Sequence, residues 1–546
     1  MTTHHPFPWP DHLYLIANPA ATGKADHTPF VRNGVAPSRD TMGSKAFNLL
    51  RMAQAGLPVP SALVLGTHYA HHRKQCIRPL FDTGIPALEQ TSGYLLGDTR
   101  KPLIVSVRSG APISMPGMME TLLNIGLCDA TLPGLLRQTG NPRLVWDAYR
   151  RLVASFGEVV EGLPASLFEN ALQDLTQGRD ERLLDFSELR QLTRTFLALY
   201  AEHAGHPFPQ DVRKQLARAV LAVFSSWDSN KAREYSKLNG IDSAMGTAVT
   251  IQRMVFGNAG GRSGAGVGFT RNPSNGEPTL WIDFLANAQG EDVVSGRRNA
   301  HGHEAMADLA PEAWEELAEA TRTLERVFGD MQDFEFTVED SQLYLLQARS
   351  GKRTPLATAR IALDLHDEGL IDRATALQRT EALQEAELST AHLASDSGAP
   401  ARPVGQAASA CSGVCSGEIA LDPQRAAKRA AGGKDVILVR NDAETNDIAA
   451  LEQSVGLLTR NGARTSHAAV VARQLGKVCL VGCETLRIDN SDGSIQLGEL
   501  TLREGDTLTL DGNQGLVYQG YIATVREPDE RVIERLSQLR MNCPGF

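Results

Sequence analysis

The sequence predicts an α+β protein built from several domains, and three features carry that prediction. Its 546 residues exceed what one core of about 150 residues accommodates, so about three or four folding units are expected. Short apolar runs rich in β-branched residues alternate with longer segments of helical period. Hydrophobic residues make up 42% and charged residues 22%, an ordinary globular balance that argues against disorder, collagen-like repeats and coiled coils.

Taken in order, residues 1 to 40 are polar and proline-bearing, with His4, His5, His12 and His27, and read as a loose N-terminal arm to which no metal is assigned. SKAFNLLRMAQAG spaces Phe47, Leu50 and Met52 at helical intervals and stops at Gly56 before the extended LPVPSALVL. PLIVSVRS is a buried strand that delivers Arg108 into SGAPISMPGMM, a loop of small residues, proline and methionine. Residues 141 to 235 are mainly helical. TAVTIQRMVFG and GVGFTRNP read as two strands joined through NAGGRSGA into a hairpin. TLWIDFLA, a helix over 311 to 329, and the paired strands FEFTVED and QLYLLQAR follow. Residues 356 to 393 have helical period, and ASDSGAPARPVG then has the composition of a hinge, which sets a boundary near 400. From there to about 522 come short strands and one clear helix, then a charged C-terminal tail able to form one helix.

Several function classes are disfavoured. A net charge of −10 repels a polyanion unless cations are gathered locally, so nucleic acid is not an expected partner. Seven cysteines are too few for a disulfide scaffold and read as reduced thiols of a cytoplasmic protein. No leader-like or membrane-spanning stretch is found in the sequence. Cys411, Cys415, Cys479 and Cys483 form two CxxxC pairs, read as thiols rather than a zinc site, and His301 and His303 sit in a polar loop. A GxxxxGK[ST] loop is absent, and the glycines from Gly257 to Gly268 lack GxGxxG order.

The stretch with the most chemistry is NGARTSHAAVVARQLGKVCLVG, residues 461 to 482. Ser466 or Thr465 can cap a helix that Gly476 ends, which puts His467 in the first turn. Unpaired amides and positive potential there stabilise a phosphoryl group and keep an imidazole neutral and nucleophilic. Spacing alone leaves open a surface histidine without chemistry.

TSHAAVVAR, with RNG before it and GKVCLVG after it, resembles the phosphohistidine motif of the pyruvate phosphate dikinase and phosphoenolpyruvate synthase family. MGSKAFNL, GLPVP, PLIVSVRSGAPISMPGMMETLLNIGL, AVTIQRMVFGN, GVGFTRNPSNGE, NAQGEDVVSG and MQDFEFTVEDSQLYLLQARSGKRT resemble, in order, the family's ATP-grasp nucleotide domain and point to the dikinase more than to the synthase. The resemblance implies an ATP-grasp domain over 41–355, a helical linker and hinge over 356–400 and a small β/β/α phosphohistidine swivelling domain over 401–522, with an arm over 1–40 and a tail over 523–546.

It further implies that Lys45 and Arg108 contact the triphosphate, that Glu335 and Gln347 hold Mg²⁺ with Asp333 alongside, and that Arg151, Glu291 and Asp292 bind inorganic phosphate. Such parts suit phosphoryl transfer, which is mostly positioning and charge neutralisation. The loop from Ser109 to Met119 would close over the phosphates, and Thr465 matches a position modified by a regulatory kinase in some dikinases, although a capping role is expected here. The implied chemistry passes the β-phosphoryl of ATP to His467 with release of AMP and the γ-phosphoryl to phosphate as pyrophosphate. The family's barrel domain, of roughly 250 residues, has no counterpart after Tyr521, so a separate protein is expected to carry the final acceptor, pyruvate or another small molecule. A catalytically idle ATP-binding regulatory module is the alternative.

Overall fold

A computed structural model describes residues 9–17, 30–33, 35–113, 115, 118–294, 303–394, 402–443, 447–464 and 466–541. The chain divides into two compact units, Met1–Gly260 with Tyr344–Gln347, and Gly261–Leu343 with Ala348–Phe546.

The first unit is built on an antiparallel sheet of β1 (Leu13–Ala17), β2 (Phe30–Asn33), β3 (Ala62–Leu65), β4 (Val105–Gly110), β5 (Thr121–Ile125) and β6 (Ala248–Arg253), in the order β2-β1-β3-β6-β4-β5. Every residue of β1 is buried, which corrects the reading of residues 1 to 40 as a loose arm. Its LYLIA run was outweighed by the polar residues around it, although a five-residue apolar run is enough for a central strand. Arm residues 1–8, 18–29 and 34 lie outside the described residues. Helices cover the sheet. Pro142–Phe156 starts at Asn141, whose side chain accepts the Leu144 N–H, and buries Leu144, Tyr149, Leu152 and Phe156. Phe186–Ala204 opens with an Asp185/Glu188 capping box and packs against that helix through Leu189, Leu192 and Phe196.

Strands β7 (Gly264–Phe269), β8 (Trp281–Ala286), β9 (Gln332–Glu339) and β10 (Gln342–Ser350) form a sheet in the order β10-β9-β7-β8, which belongs to the second unit apart from Tyr344–Gln347 of β10. The expected hairpin between β6 and β7 is therefore not formed, because β6 pairs with β3 and β4 while β7 pairs with β8 and β9. The glycines of β7 serve packing. A Cβ on Gly264, Gly266 or Gly268 would lie 2.1, 2.3 or 2.7 Å from the rings of Phe284, Phe336 and Phe334. Three large rings thus fill one face of the sheet where the middle strand has no side chains.

The rest of the second unit begins with helices Pro355–Asp367 and Arg373–Thr380, followed by β11 (Ser389–Leu393). Then come β12 (Gly405–Gln406), β13 (Ala408–Cys411), β14 (Val414–Ala420), β15 (Val436–Arg440), β16 (Gly456–Thr459), β17 (Val478–Val481), β18 (Leu486–Asp489), β19 (Ser494–Leu497), β20 (Leu500–Arg503), β21 (Thr507–Asp511) and β22 (Leu516–Gln519). A mixed sheet of order β12-β22-β21-β14-β15-β16-β17-β13 is the middle layer. The antiparallel β18-β19-β20 sheet covers one face through Leu486, Ile495, Leu497 and Leu502, and helices Pro423–Ala431, Ile448–Gln453 and His467–Gln474 cover the other through their alanines.

The strand β23 (Thr524–Pro528) pairs antiparallel with β11, so the chain reaches and leaves this layered region through one two-stranded ribbon. Helix Glu530–Met541 then folds back, burying Val532, Leu536 and Leu539 against Leu356, Leu363 and Ala376 of the two linker helices. The tail does form the one helix expected, but its apolar face is used inside this chain. Hinge residues 395–401 lie outside the described residues. Among the described residues, no helix is long and apolar enough to cross a membrane.

Candidate functional site

The first unit holds Lys45, Arg108, Arg151 and Gln347. Lys45 is the second residue of helix Ser44–Gln54, whose N-cap, Gly43, has φ +74° and would place a Cβ only 1.8 Å from the Gly110 carbonyl oxygen. Ser44 donates both its N–H and its hydroxyl to the Ala111 carbonyl, at 3.0 and 2.9 Å. Only glycine permits that approach and that φ, and the contact presses the positive end of the helix against the end of β4, the strand carrying Arg108. Lys45 and Arg108 are thus brought to neighbouring backbone positions. Gln347 is buried on β10. Ser114, Pro116 and Gly117 of the expected phosphate-covering loop lie outside the described residues.

Arg151 lies on helix Pro142–Phe156, its Nε donating to Asp147 Oδ2 at 3.0 Å, while Arg150 holds the other oxygen at 2.7 Å. Burial pushes the Asp147 carboxyl up, but Arg150, Arg151 and Arg143 more than offset this and hold it below the ordinary range. Part of the Arg151 guanidinium is therefore committed to structure.

The second unit holds Glu291, Asp292, Asp333, Glu335 and His467. Asp333 and Glu335 alternate along β9 and share one face, opposite Phe269 and Val267 of β7. Those residues in turn oppose Trp281 and Asp283 of β8. One sheet face therefore carries three carboxylates, Phe269 and Trp281, while Phe284, Phe334 and Phe336 occupy the other. Asp333 is 4% exposed and accepts from Arg349 Nε at 2.8 Å; burial pushes its carboxyl up in spite of that arginine. Two carboxylates on one face, one of them deeply buried, are a donor set that suits a hard divalent cation, so these residues fit Mg²⁺. Glu291 and Asp292 begin helix Gly290–Val294 just after β8, and Asp292 Oδ2 accepts the Gln289 N–H at 3.0 Å.

His467 is the first residue of helix His467–Gln474, as the sequence implied, and Ser466 is the cap, its hydroxyl accepting the Ala469 N–H. Thr465 and the side chains of His467 and His303 lie outside the described residues, as does His301. The segment before the helix is pinned by Arg473, which is fully buried and donates to the carbonyls of Ala410 and Arg464. Arg473 also lies 5.0 Å from the Phe269 ring and 5.1 Å from the Trp281 ring. Arg464 donates to Asp283 Oδ1 at 2.8 Å and to the Ile282 carbonyl, 4.4 Å from the same Trp281 ring. The His467 helix thus docks, through two arginines, on the sheet face that carries Asp333 and Glu335.

Arg349, Arg464, Asp283, Trp281 and Arg473 were missed in the sequence. A signal existed for two of them: Asp283 interrupts the apolar run WIDFLA, and Arg349 follows Gln347 by two, on the same strand face. Burial raises the thiols of Cys411 and Cys415 to about 11 and about 12 and raises that of Cys479 as well. Among the described residues, no group of three potential ligands that could hold a metal is found among His, Cys, Asp and Glu.

Comparison with known proteins identifies the family. Residues 86–304 and 300–369 match the pyruvate phosphate dikinase AMP/ATP-binding domain, and residues 432–515 match the mobile domain of phosphoenolpyruvate-utilising enzymes. The chloroplastic pyruvate, phosphate dikinase of Mesembryanthemum crystallinum is 42% identical over 494 residues, covering 89% of this chain and 52% of that protein. The chloroplastic pyruvate, phosphate dikinase 1 of Oryza sativa subsp. japonica is 41% identical over 521 residues, or 93% of this chain and 55% of its own length. The chain spans about half the length of these curated relatives. With the dikinase AMP/ATP-binding domain matched over half of its length and the mobile domain of phosphoenolpyruvate-utilising enzymes matched after it, the chain belongs to the pyruvate phosphate dikinase family.

Proposed function

We propose that this chain carries out the nucleotide half of a dikinase reaction, with His467 as the covalent carrier. An imidazole nitrogen of His467 attacks the β-phosphorus of ATP, AMP leaves, and the γ-phosphoryl is taken by inorganic phosphate as pyrophosphate. One exchange is split into two easier ones by the covalent intermediate. Lys45 and Arg108 bind the triphosphate, and Arg151, Glu291 and Asp292 bind and orient phosphate. Glu335 and Gln347, with Asp333 alongside, hold Mg²⁺, which when bound neutralises phosphate charge. The domain reading that goes with this is an ATP-grasp nucleotide domain over 41–355, a linker over 356–400 and a swivelling domain over 401–522. The phosphorylated carrier then passes its group to pyruvate or another small molecule on a separate barrel domain or protein.

The observation supporting this most is the docking of the His467 helix, through Arg464 and Arg473, on the sheet face of Asp333 and Glu335. The test is to incubate the protein with ATP, Mg²⁺ and phosphate and to measure AMP and pyrophosphate. Formation of both, stoichiometric with protein, and their loss in His467→Asn is the expected result. Unchanged turnover in that variant rejects the reading.

A further inference from the structure

Arg464 stands three residues before His467 and reaches across to β8. Its side chain is 21% exposed, whereas Asp283, its partner, is 1% exposed. The pair is flanked by Trp281, which has Arg464 at 4.4 Å and Arg473 at 5.1 Å, and by a cleft of about 440 Å³ lined by Arg360, His392, Ser412 and Asn513 as well. The cleft leaves Arg464 room to turn, while Arg473, which is fully buried, has none.

We propose that Arg464 is a latch sensitive to the phosphoryl group. It pairs with Asp283 while His467 is unmodified, and transfers to the phosphoryl group once His467 carries one, so that the swivelling region leaves the sheet. The proposal rests on the reading of His467 as the carrier. A phosphoryl group brings about −1.5 to −2 charges near neutral pH and three acceptor oxygens, against one charge on Asp283. It sits on the same short segment as Arg464, so it competes at high local concentration and stays with the arginine after undocking, whereas Asp283 does not. The face met by the modified carrier also holds Asp283, Asp333 and Glu335. These negative charges oppose contact with the carrier once the phosphoryl group has been added. Arg464 is thus a positioning residue before transfer and a ligand of the phosphoryl group after it.

Trp281 reports the latch directly, because an indole stacked under two guanidinium groups changes its emission when they leave. Its contribution is the difference between the spectrum of the wild type and that of Trp281→Phe, recorded in parallel with incorporation of β-labelled phosphate from ATP. The Trp281 emission is expected to shift to longer wavelength in proportion to the label. Asp283→Asn is expected to show most of that shift without nucleotide. The exchanged pair Asp283→Arg with Arg464→Asp is expected to restore the unshifted emission and to lose the response to labelling. Label on His467 with unchanged Trp281 emission overturns the latch while leaving the carrier reading intact, and an unshifted Asp283→Asn overturns it without any phosphorylation.

Discussion

Asp330, largely buried, stays ionised because Arg353 grips both its oxygens at 2.7 and 2.8 Å, Ser350 donates to it and Arg379 lies 3.4 Å away. Burial pushes this carboxyl up, but Arg353 and Ser350, with Arg379, outweigh burial and hold it below the ordinary range. A carboxyl depressed in the folded state contributes stability that is present above its unfolded value, about 3.9, and is lost as pH falls through the lower folded value. Asp330→Asn is therefore expected to cost about 3 kcal/mol at pH 7, the gap to wild type closing below about pH 4; urea titrations across pH check it. At the nucleotide, Lys45→Met is expected to weaken ATP binding by roughly 10- to 100-fold, the loss of a charge-assisted contact, as read by calorimetry. As candidates, His467, Lys45, Arg108 and the acidic residues of β9 came from motif resemblance. Arg464 and Arg349 were not, because what singles them out is a partner distant in sequence.

At the scale of elements, GVGFTRNP was read as a strand and its GVGF does lie in β7, but the purpose of the alternating glycines was not legible: their missing side chains are replaced by Phe284, Phe334 and Phe336. Gly266→Val is expected to destabilise the second unit by about 1–3 kcal/mol through overpacking, seen as a lower Tm with intact secondary structure. The helix led by His467 was placed correctly because Ser466, the alanine run and Gly476 are local signals. The strand Leu13–Ala17 and the pairing of β7 were not, because sheet partners are set by contacts far along the chain and local turn chemistry is a poor guide to them.

For the whole molecule, the alternation of short apolar runs with helical segments was enough to predict mixed α and β structure, whereas length suggested about three or four units and the contacts divide the chain into two. The ribbon of β11 and β23 could not be read, since its strands lie more than a hundred residues apart and β23 is exposed throughout. That ribbon joins both ends of the layered region, and the helix after it packs on helices Pro355–Asp367 and Arg373–Thr380. Removing residues 530–546 is expected to expose Leu356 and Leu363 and to speed proteolysis within helices Pro355–Asp367 and Arg373–Thr380 several-fold, which limited digestion and mass spectrometry check. Chelating divalent cations is expected to abolish AMP formation while leaving the fold intact, as checked by product assay alongside circular dichroism.

Everything depends on whether position 467 becomes phosphorylated from the middle phosphate of ATP. The most direct measurement is to incubate the protein with β-labelled ATP, Mg²⁺ and phosphate, then to map the label by proteolysis under alkaline conditions. Acid-labile label confined to the peptide containing His467 is the result expected here. Label retained in nucleotide and pyrophosphate alone, with ATP tightly bound, would contradict the account.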